Sequence, residues 1–321
     1  VLREPIDVCG ETLAVTGSIG IAVFPDNGGD SQRLMRAADM AMYTAKSEGR
    51  NRYHFYAEDM SARAQERMQI EQGLRRAIAA DALVLHYQPR VELATRRIVG
   101  VEALVRWPHP ERGMIPPASF IAIAEESGII EPLGRWVLQR ACREMLSLRP
   151  EGAAGGMLRL AVNVSARQFL AADFVAHVAA TLADTGFPAA ALELEITEST
   201  LQATERSRVV IDELEALGVA VSIDDFGTGY SSLAVLRDLP IRHIKVDRSF
   251  IVDLPESDSQ RAVVEAVVAL SRALGMSITV EGIERPAQAE ILERLGCREG
   301  QGFLFAHPLP FAELAAGLGR G

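Results

Sequence analysis

From residue 83 onward the chain switches repeatedly between two hydrophobic periods. Short stretches, apolar at every second position or continuously, are separated by longer stretches with the three-to-four-residue spacing of an amphipathic helix. The strand-like stretches are LVLHYQPRVEL (83–93), IVGVEALVRW (98–107), LRLAVNVS (158–165), LELEIT (192–197), VAVSIDD (219–225), HIKVD (243–247), SITVEG (277–282) and a short one near GFLF (302–305). In the helix-like stretch SQRAVVEAVVALSRALG, Val263, Val267, Leu270 and Leu274 fall on one face. Eight strands with intervening helices predict an α/β fold, a TIM-type (β/α)8 barrel. One connection departs from that plan. Only about four or five residues, around ATRR, join the first two strands, whereas a parallel crossover needs about a dozen or more. The expectation is a modified barrel with an antiparallel first strand.

The stretch before the barrel has a different rhythm. Residues 1–56 read as strand (LAVTGSIGIAVFP, 13–25), turn (DNGGD) and helix (QRLMRAADMAMYTAKSEG, 32–49) ended by Gly49. This is too little chain for a comfortable core of its own. Residues 57–80 are charged, with Ile70, Leu74, Ala77 and Ile78 at helical spacing, and predict a connecting helix. The barrel domain then occupies 81–321.

Composition narrows the function. The chain has 321 residues, 48% of them hydrophobic, and a formal net charge of −10. That acidity argues against a duplex-binding surface, so neither DNA nor RNA is expected as a partner. It leaves room for a small phosphate ligand, because carboxylates carrying metal ions present local positive charge. No apolar run reaches the roughly 18 residues of a membrane span, so this part is expected to be soluble. The start at Val1, without an initiator Met or a leader, reads as a fragment of something longer, and an upstream membrane anchor stays open. Cys9, Cys142 and Cys297 are odd in number and far apart, which suits a reducing cytoplasm better than a disulfide framework.

In a barrel of this kind the chemistry sits at the C-terminal ends of the strands. Those ends supply Glu102, Asn163, Glu195, the adjacent pair Asp224 and Asp225, Lys245 and Glu281, and the start of the eighth strand supplies Gln301. A glutamate on an alternating strand is more often solvated, but parallel strands are covered on both faces. With Leu192, Leu194 and Ile196 toward the helices, Glu193 and Glu195 point into the barrel, where carboxylates need partners. Five acids converging on one lysine leave a surplus of negative charge for cations to balance. The oxygen-only donor set suits Mg²⁺, Mn²⁺ or Ca²⁺ rather than zinc. Adjacent acids at a strand end, where pleat alternation relaxes, can hold two ions about 3.5–4 Å apart, an arrangement that favours attack on phosphoesters. Lys245 either serves the attacking water or the phosphate, or is a barrel salt bridge. The FGTGYSS loop after the paired acids lacks the ending of a P-loop.

These residues resemble the EAL domain, the bacterial cyclic di-GMP phosphodiesterase. VEALVRW (101–107) carries the naming motif. YQP (87–89), PPASFIAIAEESG (116–128), NVSARQF (163–169), EITEST (195–200), IDDFGTGYSSL (223–233), IKVDRSF (244–250), VEGIE (280–284) and GCREGQGFLFAHPLP (296–310) follow in order. The resemblance implies hydrolysis of cyclic di-GMP to linear pGpG by a water activated by two ions, Mg²⁺ or Mn²⁺. One ion would be held by Glu102, Asn163, Glu195 and Asp224, the other by Asp224, Asp225 and Glu281. Lys245, Glu281 and Glu102 would carry the catalysis, with Lys245 on the water. Gln88, Arg106 and Gln301 would contact substrate, Gln301 also helping at the water and the second ion. Glu198 would hold the loop after strand five, and a homodimer is implied. Arg90 and Glu92 stand where an apolar residue and Asp are more usual, a departure that could tune substrate access, and His307 stands where a basic residue is frequent. Residues 1–56 resemble the C-terminal part of a GGDEF (diguanylate cyclase) domain, through GSIGIAVFP and AADMAMYTAKSEGRNRYHF. GGD at 28–30 is a surface turn rather than the cyclase motif. A non-hydrolysing cyclic di-GMP receptor, and a bifunctional cyclase–phosphodiesterase in a longer protein, are the alternatives.

Overall fold

The structure, a computed structural model, describes residues 6–8, 11–13, 16–47, 49, 51–148, 157–227 and 239–318. The chain divides into two units, 1–74 and 75–321.

In the first unit β1 (Ile6–Val8) and β2 (Glu11–Leu13) form an antiparallel pair, and β3 (Ile19–Ile21) runs parallel to β4 (Tyr53–Phe55). The strand expected over 13–25 is therefore shorter. Ala14 and Val15 lie outside the described residues, and Phe24–Asn27 form a turn in which the Val23 amide donates to the Asn27 side chain at 2.8 Å. The helix Ser31–Ser47 buries Ala37, Ala41 and Ala45, a stripe of small residues at four-residue spacing. Gly20 on β3 allows this close approach, since a Cβ there would lie 1.9 Å from the Ala38 carbonyl oxygen. Gly29 and Asp30 are exposed, and Asp30 accepts from the Arg33 amide at 2.8 Å, so GGD is the turn that starts this helix. The next helix, Glu58–Ala79, buries Ile70, Leu74 and Ala77.

The second unit is a closed eight-stranded barrel. Its strands are β5 (Val84–Glu92), β6 (Ile98–His109), β8 (Arg159–Val164), β9 (Leu192–Thr197), β10 (Ala220–Phe226), β11 (His243–Val246), β12 (Ser277–Val280) and β13 (Glu299–Gln301); β7 (Gly113–Ile115) folds back antiparallel on the end of β6, and β14 (Leu309–Pro310) pairs with β5. From β6 to β13 all neighbours in the barrel are parallel. β5 is antiparallel to both β6 and β13, as the short first connection requires. The eighth strand lies upstream of its expected place at 302–305: Gly302–Phe305 turn back, with the Phe305 and Ala306 amides both bonded to the Gly302 carbonyl. Gln301 thus ends that strand instead of starting it.

Leu192, Leu194 and Ile196 are fully buried, as are Leu160, Val162, Ile223, Ile244 and Val280, each contributing about 1.5–3 kcal/mol on transfer from water. The helix Asp258–Leu274 begins at Ser257, whose hydroxyl accepts from the Gln260 amide, and ends at Gly275 in the left-handed conformation. It buries Val264, Val268 and Ser271, while Val263 is exposed. The expected face is shifted by one position, because the paired valines 263–264 and 267–268 fit two helical phases equally well.

Candidate active site

The ends of the parallel strands converge on Lys245. Its ammonium lies 2.7 Å from Glu195 Oε2, 2.7 Å from Glu281 Oε1, 3.1 Å from Asp224 Oδ1 and 3.5 Å from Glu102 Oε2. Lys245 is fully buried on β11. Burial alone would strip its proton, but the four carboxylates push its pKa well above the usual lysine range.

The acids differ in their surroundings. Glu102 pairs in register with Gln88 across the β5–β6 hairpin. It accepts from Asn163 Nδ2 at 2.6 Å and Gln301 Nε2 at 2.6 Å. Burial would raise its pKa, but Lys245 and those two amide donors hold it below the ordinary value. Glu281 follows β12 directly; burial, opposed by Lys245 but reinforced by Asp224 and Glu102, raises it to about 7. Burial and then Asp224 raise Asp225 as well.

Adjacent aspartates meet at one site through a local break in the strand. The β10–β11 register shifts between Ile223 and Phe226, and Asp225 adopts a φ of 53°, in the left-handed region that Asp tolerates better than most residues. The Asp225 amide turns back onto Asp224 Oδ1 at 3.0 Å. Asp224, Asp225 and Glu281 each offer an oxygen, all within 4.8 Å of one another. The Gly227 amide, just past the end of β10, donates to Glu198 Oε2 at 3.1 Å. The remainder of the FGTGYSSL loop, Thr228–Leu233, lies outside the described residues.

A cleft of about 290 Å³ opens above this cluster, lined by Gln88, Glu102, Asp224, Lys245, Glu281 and Gln301 among others. Asn163 and Glu195 reach it through Glu102 and Lys245. Gln88 accepts from Gln301 Nε2 at 3.1 Å. Arg106 stands apart: half-buried, it donates to its neighbour's carbonyl, Val105 O, at 3.0 Å. The cleft also takes in Arg248 and Glu284, an ion pair at 3.0 Å, and the half-exposed ring of Phe303. Their only sequence signal is position, two or three residues beyond a strand-end polar group.

Arg90 corrects an expectation. It does not line the cleft but is buried in the barrel, donating through Nη1 to both Glu193 oxygens at 3.1 Å and through Nη2 to Glu195 Oε1 at 2.9 Å. The barrel acids therefore share two buried cations, not one lysine. Burial would raise Glu193, yet Arg90 and then His243 bring it down to about 2.

A metal fits this donor set on three observations. The donors are all oxygens. Asp224, Asp225 and Glu281 crowd together with Lys245 as the adjoining cation. Gln301 Oε1 is buried with no hydrogen-bond partner among the described residues.

A parallel barrel with one reversed strand thus gathers, at its mouth, an oxygen-only donor set of the kind that holds hard divalent cations. The EAL domain family model matches residues 71–308 and the diguanylate cyclase GGDEF domain model residues 1–52. The chain belongs to the EAL domain family. It is 44% identical over 316 residues to the bifunctional diguanylate cyclase/cyclic di-GMP phosphodiesterase MucR of Pseudomonas aeruginosa, covering 98% of this chain and 46% of that protein. The cyclic di-GMP phosphodiesterase NbdA of the same organism is 42% identical over 314 residues, with 98% and 40% covered. The chain thus spans under half the length of these relatives. A solved structure of the PaMucR phosphodiesterase in complex with c-di-GMP superposes with a TM-score of 0.73 at 45% identity, over 77% of this chain and 99% of that one.

Proposed function

We propose that this chain hydrolyses cyclic di-GMP to linear pGpG, with two divalent ions, Mg²⁺ or Mn²⁺, in the mouth of the barrel. The observation that carries the reading is Lys245 set among four carboxylates at the strand ends, beside the crowded trio Asp224, Asp225 and Glu281. In this reading Glu102, Asn163, Glu195 and Asp224 hold one ion, and Asp224, Asp225 and Glu281 the other. Bound there, the ions supply Lewis acidity and lower the pKa of water.

The protein's own part is position and charge. Lys245, fixed by its carboxylates, orients a water through its ammonium and stays protonated, so it donates hydrogen bonds rather than removing protons. Gln301 presents its free Oε1 to the same water. Gln88 sits at the cleft wall for a base, and Arg106 has the planar fork that suits a phosphate oxygen once it leaves Val105. Glu198 holds Gly227 and with it the start of the following loop. No helix among the described residues is long and apolar enough to cross a membrane; a cytoplasmic location and a homodimer complete the proposal, and sedimentation as a monomer at working concentration would remove the dimer.

Metal removal tests the reading. Chain stripped with a chelator should leave cyclic di-GMP intact, and adding Mg²⁺ or Mn²⁺ should restore pGpG. Hydrolysis undiminished after stripping would overturn the role given to the carboxylates, and tight binding without product at any metal concentration would make the chain a receptor.

A further inference from the structure

TIM-type barrels usually fill their interior with branched aliphatic side chains. Here the layer beneath the cleft is ionic. Arg90 enters from the reversed strand β5, and its fork is shared between neighbouring acids of β9: Nη1 takes both oxygens of Glu193, and Nη2 takes Glu195 Oε1. All three side chains are nearly or completely buried. On the floor, Glu193 approaches His243 Nε2 at 4.0 Å, and Arg159 pairs with Glu299. Glu195 is thus gripped at both ends: Oε1 by Arg90 and Oε2 by Lys245 at 2.7 Å. The Lys245 ammonium that holds Oε2 also lies 3.5 Å from Glu102 and 3.1 Å from Asp224, which places Oε2 on the side of the clustered acids.

We propose that Arg90 is a positioning residue for metal binding: by pinning Glu195 Oε1 it directs Oε2 toward the cluster of donors and so sets the affinity of the site for its ion. The proposal rests on the assignment of Glu195 as a ligand. Three features favour it over a purely structural ion pair. The fork spans two different carboxylates, which ties Glu195 to the buried Glu193 below it, and the planar guanidinium fixes the directions of its donors where an ammonium's rotate. Among the described residues, the Glu195 carboxylate accepts from Arg90 and Lys245 alone. Lys245 itself is divided among four acids, so it cannot by itself fix one rotamer of Glu195. Partners of this kind, one step removed from the metal, typically change affinity about 10- to 100-fold when removed.

The test is Mn²⁺ titration of the full 321-residue chain, read by loss of the free-ion EPR signal, beside steady-state kinetics at saturating Mn²⁺. In R90M the Mn²⁺ dissociation constant should rise about 10- to 100-fold, while kcat at saturating Mn²⁺ changes no more than about threefold. R90K should recover only part of the affinity. Because R90M leaves two buried acids without their cation, R90M/E193M is made in parallel, with E193M as its reference. The double variant should show the same loss of affinity and E193M should not. Folded variants whose titrations superpose on their references would overturn the proposal. E195Q separates the two levels: if it leaves Mn²⁺ affinity unchanged, the assignment of Glu195 as a ligand fails, and Arg90's part in metal binding falls with it. If E195Q weakens Mn²⁺ binding and the Arg90 variants do not, the Arg90 proposal alone fails.

Discussion

Individual side chains in this barrel act through the charges that surround them, and His243 shows it most simply. Its ring is buried between Ser277 and Thr279, with Nδ1 2.6 Å from the first hydroxyl and Nε2 3.0 Å from the second. Burial pulls its pKa down to about 4, against the opposing pull of Glu193. The unfolded chain therefore takes up a proton near pH 6.5 that the fold refuses until about pH 4. Its contribution to stability is complete above pH 6.5 and is lost as the pH falls across that window. Urea unfolding at pH 7 and pH 5 should show the wild type losing about 2 kcal/mol more than H243Q. Equal losses would mean that His243 is not held neutral. At this same scale the sequence was legible where a polar residue falls at or just past a strand end, as for Lys245 and Glu281, whereas Glu102 lies within β6, which runs on to His109. It was not legible for Arg90, because an arginine in a strand has no sequence mark that separates a surface position from a lumen facing two glutamates. The left-handed turn at Asp225 was hidden too; only the register shift beside it explains how neighbouring aspartates serve one cluster.

Elements place these side chains, and the eighth strand does so through a very close backbone approach. A Cβ on Gly302 would lie 2.2 Å from the carbonyl oxygen of Ile283 and 2.3 Å from its nitrogen. Both are backbone atoms held by their own bonds: the Ile283 amide donates to Gln301 O at 3.1 Å, and its carbonyl accepts from Leu304 at 3.0 Å. G302A must push this turn away from the segment that follows β12, moving Gln301 off Glu102. We expect a loss of about 1–3 kcal/mol in thermal unfolding together with impaired hydrolysis. G317A, where a Cβ meets nothing within 4 Å on a helix, should be neutral or slightly stabilising. A G302A protein as stable and active as the wild type would contradict the close approach. Periodicity located seven of the eight strands, but GFLF looked more strand-like than the true strand EGQ, whose three residues carry no alternation to detect. The reversed β5 was legible because connection length alone forbids a parallel crossover.

At the level of the whole molecule, the reversed first strand brings Gln88 and Arg90 to a barrel whose other lumen groups come from parallel strands. Gln88 lines the cleft and Arg90 the layer beneath it. Of the chain's 43 acidic residues, four converge on Lys245 in the barrel. Two buried thiols, Cys142 and Cys297, are pushed up to about 12 by burial and stay out of this chemistry. The account as a whole depends on Glu102, which joins Asn163, Gln301 and Lys245 at one carboxylate. The most direct test is chromatography of cyclic di-GMP after incubation with this chain and Mg²⁺ or Mn²⁺, with E102A beside it. The account predicts pGpG from the wild type and at least about 100-fold less from E102A. Unchanged substrate with a folded wild type that demonstrably binds it, or equal product from E102A, would contradict it.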